Sequence, residues 1–110
     1  MSYEQTARAI HKGGNNCGQS VYACFASELG LSKDEAVQAA PKPRSEGGQC
    51  GAYLAGRALL MKLKPDSADE FERRFLELNG ATECRKLRGA GKNCNDYVGD
   101  AARLAAELLS

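Results

Sequence analysis

The sequence predicts an all-α fold, a compact bundle of six or seven short helices joined by Gly-rich loops. Apolar residues recur with helical spacing in almost every segment, and glycine, proline or a capping residue closes each segment. No segment alternates apolar and polar residues for long enough to indicate a strand. The 110 residues, of which 43% are hydrophobic, suit a single four-cysteine helical domain over 1–110.

Three helices are predicted before residue 41. The first has one apolar face and ends at a glycine pair; its face and stop are Tyr3, Ala7, Ile10, Gly13 and Gly14. The second is capped by Asn15 or Asn16 and extends over 17–29 to Gly30. Ser32 and Glu35 have the spacing of a capping box, which predicts a short third helix to about Ala40.

The rest of the chain is predicted to contain a long loop over 41–48 and three or four further helices. A fourth helix after Cys50 ends near Pro65, and its inner face comprises Leu54, Ala58 and Met61. A fifth is capped by Asp66 or Ser67, and its inner face comprises Phe71, Phe75 and Leu78. Thr82 opens a short sixth. Asn93 caps the last, which turns Val98, Ala101 and Ala105 inward.

The charge balance excludes several classes of partner. Fifteen basic and 14 acidic residues leave a net charge of +1, which does not predict binding to nucleic acid or to an anionic membrane. No apolar run is as long as a membrane span, and the N-terminus lacks the apolar core of a signal peptide. We therefore expect a cytoplasmic protein without membrane insertion, in which cysteines are more often catalytic, metal-binding or buried than bridged.

Four of the five cysteines stand at the predicted start of a helix. They are Cys17 in GGNNCG, Cys50 in GGQCG, Cys84 in TECRKL and Cys94 in GAGKNCN. A helix start presents unpaired N–H groups and a partial positive charge, which favour the thiolate. We therefore expect at least one thiol pKa lowered to about 3.5–7.5 and four sulfurs that act as redox thiols or as metal ligands.

The spacing of these cysteines contains no CxxC pair, so only the fold could bring them together. Gly-Gly, then Asn or Gln, then Cys-Gly occurs at 13–18 and again at 47–51. The loop residues beside the sulfurs are candidates to contact a cofactor, and they are Gly48, Gly51, Asn16 and Asn93. Cys84 and Cys94 are the best disulfide pair, because the connection between them can fold back through Gly89 and Gly91.

Other chemistry-bearing residues have an ordinary and a functional interpretation. Cys24 lies in mid-helix and is predicted to be an apolar filler, with a resolving thiol as the alternative. His11 is predicted to interact with the C-terminal dipole of the first helix rather than to bind a metal. Arg85 and Lys92 could lower the pKa of the neighbouring thiols or be surface charges. Three tyrosines either pack in the core or line the site: Tyr22, Tyr53 and Tyr97.

The chain resembles the C_GCAxxG_C_C family, named for its pattern of cysteines and glycines. The resemblance rests on Asn16-Cys17-Gly18-Gln19-Ser20-Val21, on Gly48-Gln49-Cys50-Gly51-Ala52, on Glu83-Cys84-Arg85 and on the Cys94 helix. It extends from about Asn15 to Leu109. Ala55 stands where the family pattern has its second glycine, and Gly56 follows one position later. The resemblance implies an all-helical, redox-active protein with four cysteines, and a related module suggests an iron–sulfur cluster.

Three hypotheses follow. In the first, Cys17, Cys50, Cys84 and Cys94 form one redox site for electron transfer or thiol–disulfide chemistry, with an iron–sulfur centre as one form of it. In the second, the same four thiolates hold a structural zinc ion without redox turnover. In the third, the chain is a helical module that binds a ligand or partner, and its cysteines only pack. A redox partner is expected under the first hypothesis, and a homodimer stays open.

Overall fold

The structure, a computed structural model, describes residues 2–110, which contain eight α-helices and one 3₁₀ turn. They are α1 (Tyr3–Lys12), α2 (Cys17–Cys24), α3 (Ala26–Leu29), α4 (Lys33–Ala39), α5 (Gly51–Leu63), the 3₁₀ turn (Pro65–Ser67), α6 (Ala68–Asn79), α7 (Cys84–Arg88) and α8 (Cys94–Leu109). The all-α prediction is confirmed, since the described residues form no strand beyond one isolated bridge. The expected number of six or seven helices was too low.

Four helices begin with a reciprocal capping box, in which the cap side chain and the third helical side chain bond to each other's backbone N–H. The pairs are Ser2 with Gln5, Asn16 with Gln19, Ser32 with Glu35, and Asn93 with Asp96. The predicted caps at Asn16, Ser32 and Asn93 are confirmed. Each cap contributes about 1 kcal/mol to its helix, so the start of each of these helices is defined locally.

Two predicted boundaries were wrong, and one predicted cap makes no capping bond. The helix expected over 17–29 is divided at Phe25, a buried residue with φ −108° and ψ 20° whose ring stacks on Tyr3 with centroids 4.6 Å apart. Ser67 occupies the cap position of α6 but makes no capping bond, because its Oγ donates to the Lys64 carbonyl at 2.7 Å. The residue before α7 is Glu83, so Thr82 does not open that helix.

The core lies where α5 and α8 pack against each other and against α1, α2 and α6. Four aromatic rings join α5, α6 and α8 at its centre: Tyr53, Phe71, Phe75 and Tyr97. Gly56 permits the close approach of α5 to α6, since a Cβ there would lie 2.3 Å from Cζ of Phe71. The glycine displaced by one position from the family pattern therefore serves this packing.

Two residues predicted to face inward are exposed. Met61 is 48% exposed and Leu78 is 46% exposed. Near its start α5 is buried on nearly every side, so helical periodicity alone does not define one inner face. Toward its end, Leu59 and Leu60 face the core in place of Met61. Leu78 lies in the last turn of α6, where Phe71 and Phe75 have already provided the buried face.

No helix within residues 2–110 combines the length and the apolar character that crossing a bilayer requires.

Candidate functional site

Four cysteines from four separate helix starts line one cavity of about 260 Å³. They are Cys17, Cys50, Cys84 and Cys94, and the remaining lining residues are His11, Asn16, Pro43, Arg44, Gly51, Leu87, Arg88 and Tyr97. Cys17, Cys84 and Cys94 are the first residues of α2, α7 and α8, and Cys50 is the residue that caps α5. All five cysteines of the chain are free thiols.

Cys17 and Cys50 are brought together by the glycine that follows each of them. A Cβ on Gly18 would lie 2.3 Å from the Pro41 carbonyl oxygen and 3.4 Å from that of Gly51. A Cβ on Gly51 would lie 3.1 Å from the Gly18 nitrogen. The starts of α2 and α5 therefore approach backbone to backbone, and the repeated Cys-Gly pair is what allows both sulfurs to face one cavity.

Cys50 and Cys84 are held by a short piece of antiparallel pairing around the bridge between Gln49 and Glu83. The N–H of Cys50 donates to the Thr82 carbonyl at 2.7 Å, and the N–H of Cys84 donates to the Gly48 carbonyl at 2.9 Å. Because successive residues of an extended segment alternate between its two faces, both cysteines emerge on the face opposite to Gln49 and Glu83. That face is the cavity.

Cys94 completes the set from the start of α8, beside Cys17 and Arg88. Burial of the Cys17 thiol, followed by the charge of Cys94 and a hydrogen bond with it, raises the pKa of Cys17 to about 12. Interaction with Cys94, followed by the charges of Cys84 and Cys94, raises the pKa of Arg88. The charge of Cys94 thus affects groups on both α2 and α7.

The expected lowering of the thiol pKa is not found at Cys17 or Cys50. Burial raises the pKa of Cys50, although the backbone N–H groups of Tyr53 and Ala52 at the start of α5 oppose that rise. The neighbouring cysteines raise it further, as they do at Cys17. Desolvation and mutual repulsion among clustered sulfurs outweigh the helix-start effect here, because several thiols share one partly enclosed space.

His11 reaches the cavity from the end of α1, and its proton position is determined by neighbours. Arg8 Nη1 donates to Asn95 Oδ1 at 3.2 Å, so Asn95 Nδ2 faces Nδ1 of His11 at 3.1 Å. Burial lowers the pKa of His11, which favours the neutral ring. Since an amide nitrogen only donates, Nδ1 accepts and Nε2 carries the proton, 3.9 Å from Cys17 Sγ.

Cys24 is kept apart from this set. Its Sγ donates to the Tyr3 carbonyl at 3.3 Å on the other side of α2, and it does not line the cavity. Burial, then the nearby charge of Glu28, raises the pKa of Cys24 to about 12. This environment favours the interpretation of Cys24 as an apolar filler.

The other predicted site residues divide into two groups. Asn16 and Gly51 line the cavity, whereas Gly48 and Asn93 do not: Gly48 supplies the carbonyl that holds Cys84, and Asn93 caps α8. Lys92 is turned away, since its Nζ binds Asp100 at 2.6 Å and Asn79 at 2.7 Å.

The tyrosines divide in the same way. Tyr97 lines the cavity and donates to the Leu87 carbonyl at 2.6 Å. Tyr53 donates to Glu72 at 2.7 Å, outside the cavity, and Tyr22 is buried in the core.

Three residues of the cavity were missed as functional candidates: His11, Arg44 and Arg88. His11, the only histidine, was assigned to the helix dipole. Its contact with Asn95 joins residues 84 positions apart, so no local pattern in the sequence indicates it. Arg88 lies one helical turn after Cys84, a spacing that places both side chains on one face of α7 and that could have drawn attention to it.

Within residues 2–110, no group of three or more histidine, cysteine, aspartate and glutamate side chains is placed to hold a metal ion.

Neither a search of curated proteins nor a search of solved structures found a match to this chain. The comparison with family models did: residues 15–108 match the model described as "Putative redox-active protein (C_GCAxxG_C_C)". The match spans almost the whole chain and includes all four cysteines of the cavity. The chain therefore belongs to the C_GCAxxG_C_C family.

Proposed function

We propose that the four cysteines of the cavity form one thiol–disulfide redox centre. The observation that carries the proposal is the convergence of Cys17, Cys50, Cys84 and Cys94 on a cavity of about 260 Å³, while Cys24 lies outside it. Four free thiols in one partly enclosed space, drawn from four helix starts, suit the exchange of disulfides better than packing alone. Membership of a family described as redox-active supports the same conclusion.

Cys84 is the thiol that a partner reaches first. It is half-buried, whereas Cys50 is 5% exposed, and it faces a second opening on the surface as well as the cavity. In the proposed step its thiolate attacks one sulfur of a partner's disulfide. A mixed disulfide forms, and the partner's other sulfur leaves as a thiolate that takes up a proton.

Cys94 resolves the mixed disulfide, since the connection from Cys84 bends at Gly91, where φ is +91°. Its thiol loses a proton and attacks Cys84, which forms a disulfide between the two cysteines and releases the partner's first sulfur as a thiol. Two protein thiols are thereby oxidised and one partner disulfide is reduced to two thiols. Cys17, beside Cys94, can then exchange into that disulfide, with the Nε2–H of His11 directed at its sulfur.

The test is disulfide mapping on protein prepared without oxygen and equilibrated with oxidised and reduced glutathione. We expect thiols to disappear in pairs as the buffer becomes more oxidising, with Cys94 bonded to Cys84 or Cys17 and with Cys24 left reduced. Cys84→Ala should abolish the first step, while Cys24→Ala should leave the titration unchanged. Thiols at the four positions that stay reduced across the whole series would contradict the proposal.

Metal and sulfide analysis of the same anaerobic sample separates the alternatives. Stoichiometric iron and sulfide, released when the cysteines are replaced, would establish an iron–sulfur centre in place of disulfide exchange. One zinc per chain, with no oxidation of the four thiols, would establish the structural zinc hypothesis. Replacement of all four cysteines without any effect on redox behaviour would leave only a packing role.

A further inference from the structure

We propose that the surface beside Cys84 is a binding site for a small molecule that carries two or more phosphate or carboxylate groups. The site is a groove of about 350 Å³, here called the arginine groove, which is lined by Arg44, Cys84, Arg85 and Arg88. It adjoins the cysteine cavity, with which it shares Arg44, Cys84 and Arg88. It goes beyond the proposed redox centre, since anion binding here does not depend on which reaction the cysteines perform.

The first argument is the distribution of ion pairs. The chain has eight arginines, and those outside the groove all pair with carboxylates: Arg8, Arg57, Arg73, Arg74 and Arg103. Within residues 2–110, Arg44, Arg85 and Arg88 form no ion pair with a carboxylate. The nearby Glu83 pairs instead with Lys86 at 3.3 Å. The arginines without a carboxylate partner are thus the ones that meet at Cys84.

The second argument is the backbone of Arg44. Its φ of +64° is the single left-handed value at a non-glycine residue among the described residues, in a loop where glycines take the other positive values. The turn that imposes it is closed by the N–H of Arg44, which donates to the Gln49 carbonyl at 2.9 Å. Glycine would adopt this conformation without strain, so an arginine at this position carries a conformational cost.

The third argument concerns what three guanidinium groups recognise. A guanidinium presents a planar fork of N–H donors that matches the oxygens of a phosphate or a carboxylate. Arg44 and Arg88 also line the cysteine cavity, so they can balance thiolate charge, whereas Arg85 lines the groove alone. The volume of about 350 Å³ is large enough for a small polyanion.

Protection of Cys84 from a neutral alkylating reagent tests the site. The full-length reduced protein is treated with iodoacetamide at fixed pH and ionic strength, with increasing inorganic pyrophosphate in one series and citrate in another. We expect saturable slowing of Cys84 alkylation and no slowing at Cys24. Slowing by pyrophosphate alone would identify phosphate as the recognised group, and slowing by citrate alone would identify carboxylate. No slowing by either would overturn the proposal.

Three variants sharpen the test. Arg85→Gln alters the groove without touching the cysteine cavity, and it should raise the half-protecting concentration by about tenfold, as expected for one lost charged pair. Arg44→Gly should weaken protection similarly while leaving the fold at least as stable, because it removes the strained residue. Arg73→Gln, on the exposed face of α6, should change nothing. Equal effects of Arg73→Gln and Arg85→Gln would mean that the anion responds only to the net charge of the protein, which would contradict a specific site.

The outcome is separable from that of the redox proposal. Alkylation of a reduced thiol by iodoacetamide requires no redox partner and no bound metal. Protection that persists in a protein whose cysteines never form disulfides would support the anion site and reject the redox proposal. Disulfide exchange without protection would do the reverse.

Discussion

A chain of hydrogen bonds from Arg8 through Asn95 orients the His11 ring at the cavity. Arg8 is held by Glu4 at 3.2 Å and by Asp96 at 3.0 Å, and it crosses α8 at Gly99, where a Cβ would lie 2.3 Å from its Nε. It thereby orients Asn95, which in turn orients His11. The residue that faces Cys17 is thus positioned by contacts on the far side of α1 and α8.

We predict that His11 carries its proton on Nε2, and that Asn95→Asp moves it to Nδ1. A carboxylate beside Nδ1 can only accept, so the ring would have to donate from that nitrogen and lose its donor toward Cys17. Long-range nitrogen–proton NMR of His11 in the reduced protein at neutral pH reports the tautomer directly. A wild-type ring protonated at Nδ1 would show that Asn95 does not have this role.

At the scale of the helices, the starts of α2 and α5 lie in direct backbone contact. The contact of α2 with α5 at Gly18 and Gly51 leaves no room for a side chain, and it places two cysteines at one cavity. The capping box of Asn16 determines where α2 begins, but the glycine after Cys17 determines what that start can touch.

Gly18→Ala should therefore lower the free energy of unfolding by about 1–3 kcal/mol, the usual cost of forcing extra volume into a packed contact. The added methyl would lie 2.3 Å from the Pro41 carbonyl oxygen. Gly13→Ala is the matched control, because a Cβ there is 3.4 Å from its nearest neighbour. Denaturant unfolding measures both variants, and equal stability of the two would refute the close contact.

On α6, Glu70 makes stability depend on pH. Hydrogen bonds from Arg73 and then Arg74 lower the pKa of Glu70 from 4.5 to about 2. Because the folded pKa lies below the unfolded one, the stabilising contribution is present above about pH 4.5 and is lost as the pH falls toward 2. Its size is small, since the group is exposed.

Glu70→Gln should accordingly lower the melting temperature at pH 7 and leave it unchanged at pH 2. Thermal unfolding of both proteins across this range is the measurement. A difference between them that persists at pH 2 would mean that the carboxylate charge is not the cause.

At the scale of the whole molecule, an aromatic cluster connects the helices that carry the site. Phe75 is fully buried and lies 5.5 Å from Tyr53, 6.1 Å from Phe71 and 6.5 Å from Tyr97, centroid to centroid. Tyr97 lines the cysteine cavity and binds the Leu87 carbonyl of α7. Packing of α6 against α5 and α8 thus supports the wall of the cavity from behind.

Phe75→Ala should cost about 3–5 kcal/mol in unfolding free energy, as truncation of a buried ring usually does. The adjacent Leu76 is 39% exposed, so Leu76→Ala should have a much smaller effect. Equilibrium unfolding in urea compares the two. Similar losses from the neighbouring positions would indicate that the core does not lie on this face of α6.

The helices and most of their starts were predictable, because caps and glycine stops act within a few residues. Asn16, Ser32 and Asn93 each bond to a group three positions away, so the sequence alone identifies them. Met61 and Leu78 were wrongly placed inside, because the burial of a helix face depends on which neighbours cover it.

The cysteines of the candidate site could be predicted from the sequence, but the residues that surround them could not. Cys17, Cys50 and Cys94 could be identified from local context, since each follows a Gly-rich loop, whereas Thr82, the cue for Cys84, does not open α7. The direction of the pKa shift at Cys17 and Cys50 could not be predicted, because it depends on sulfurs that lie 33 to 77 positions apart along the chain. The presence of His11, Arg44 and Arg88 in the cavity could not be predicted either, because it also depends on segments that are distant in sequence.

By itself, the sequence determined an all-helical fold, its main helix starts and four helix-start cysteines, two of them followed by glycine, since each of these depends on short-range hydrogen bonds and backbone freedom. Only the tertiary structure decided that those cysteines share a cavity, that Cys24 is excluded from it, and that Lys92 turns away while Arg88 turns in. Those outcomes require helices distant in sequence to pack at glycine contacts, and packing of that kind is set by the whole core rather than by any one segment.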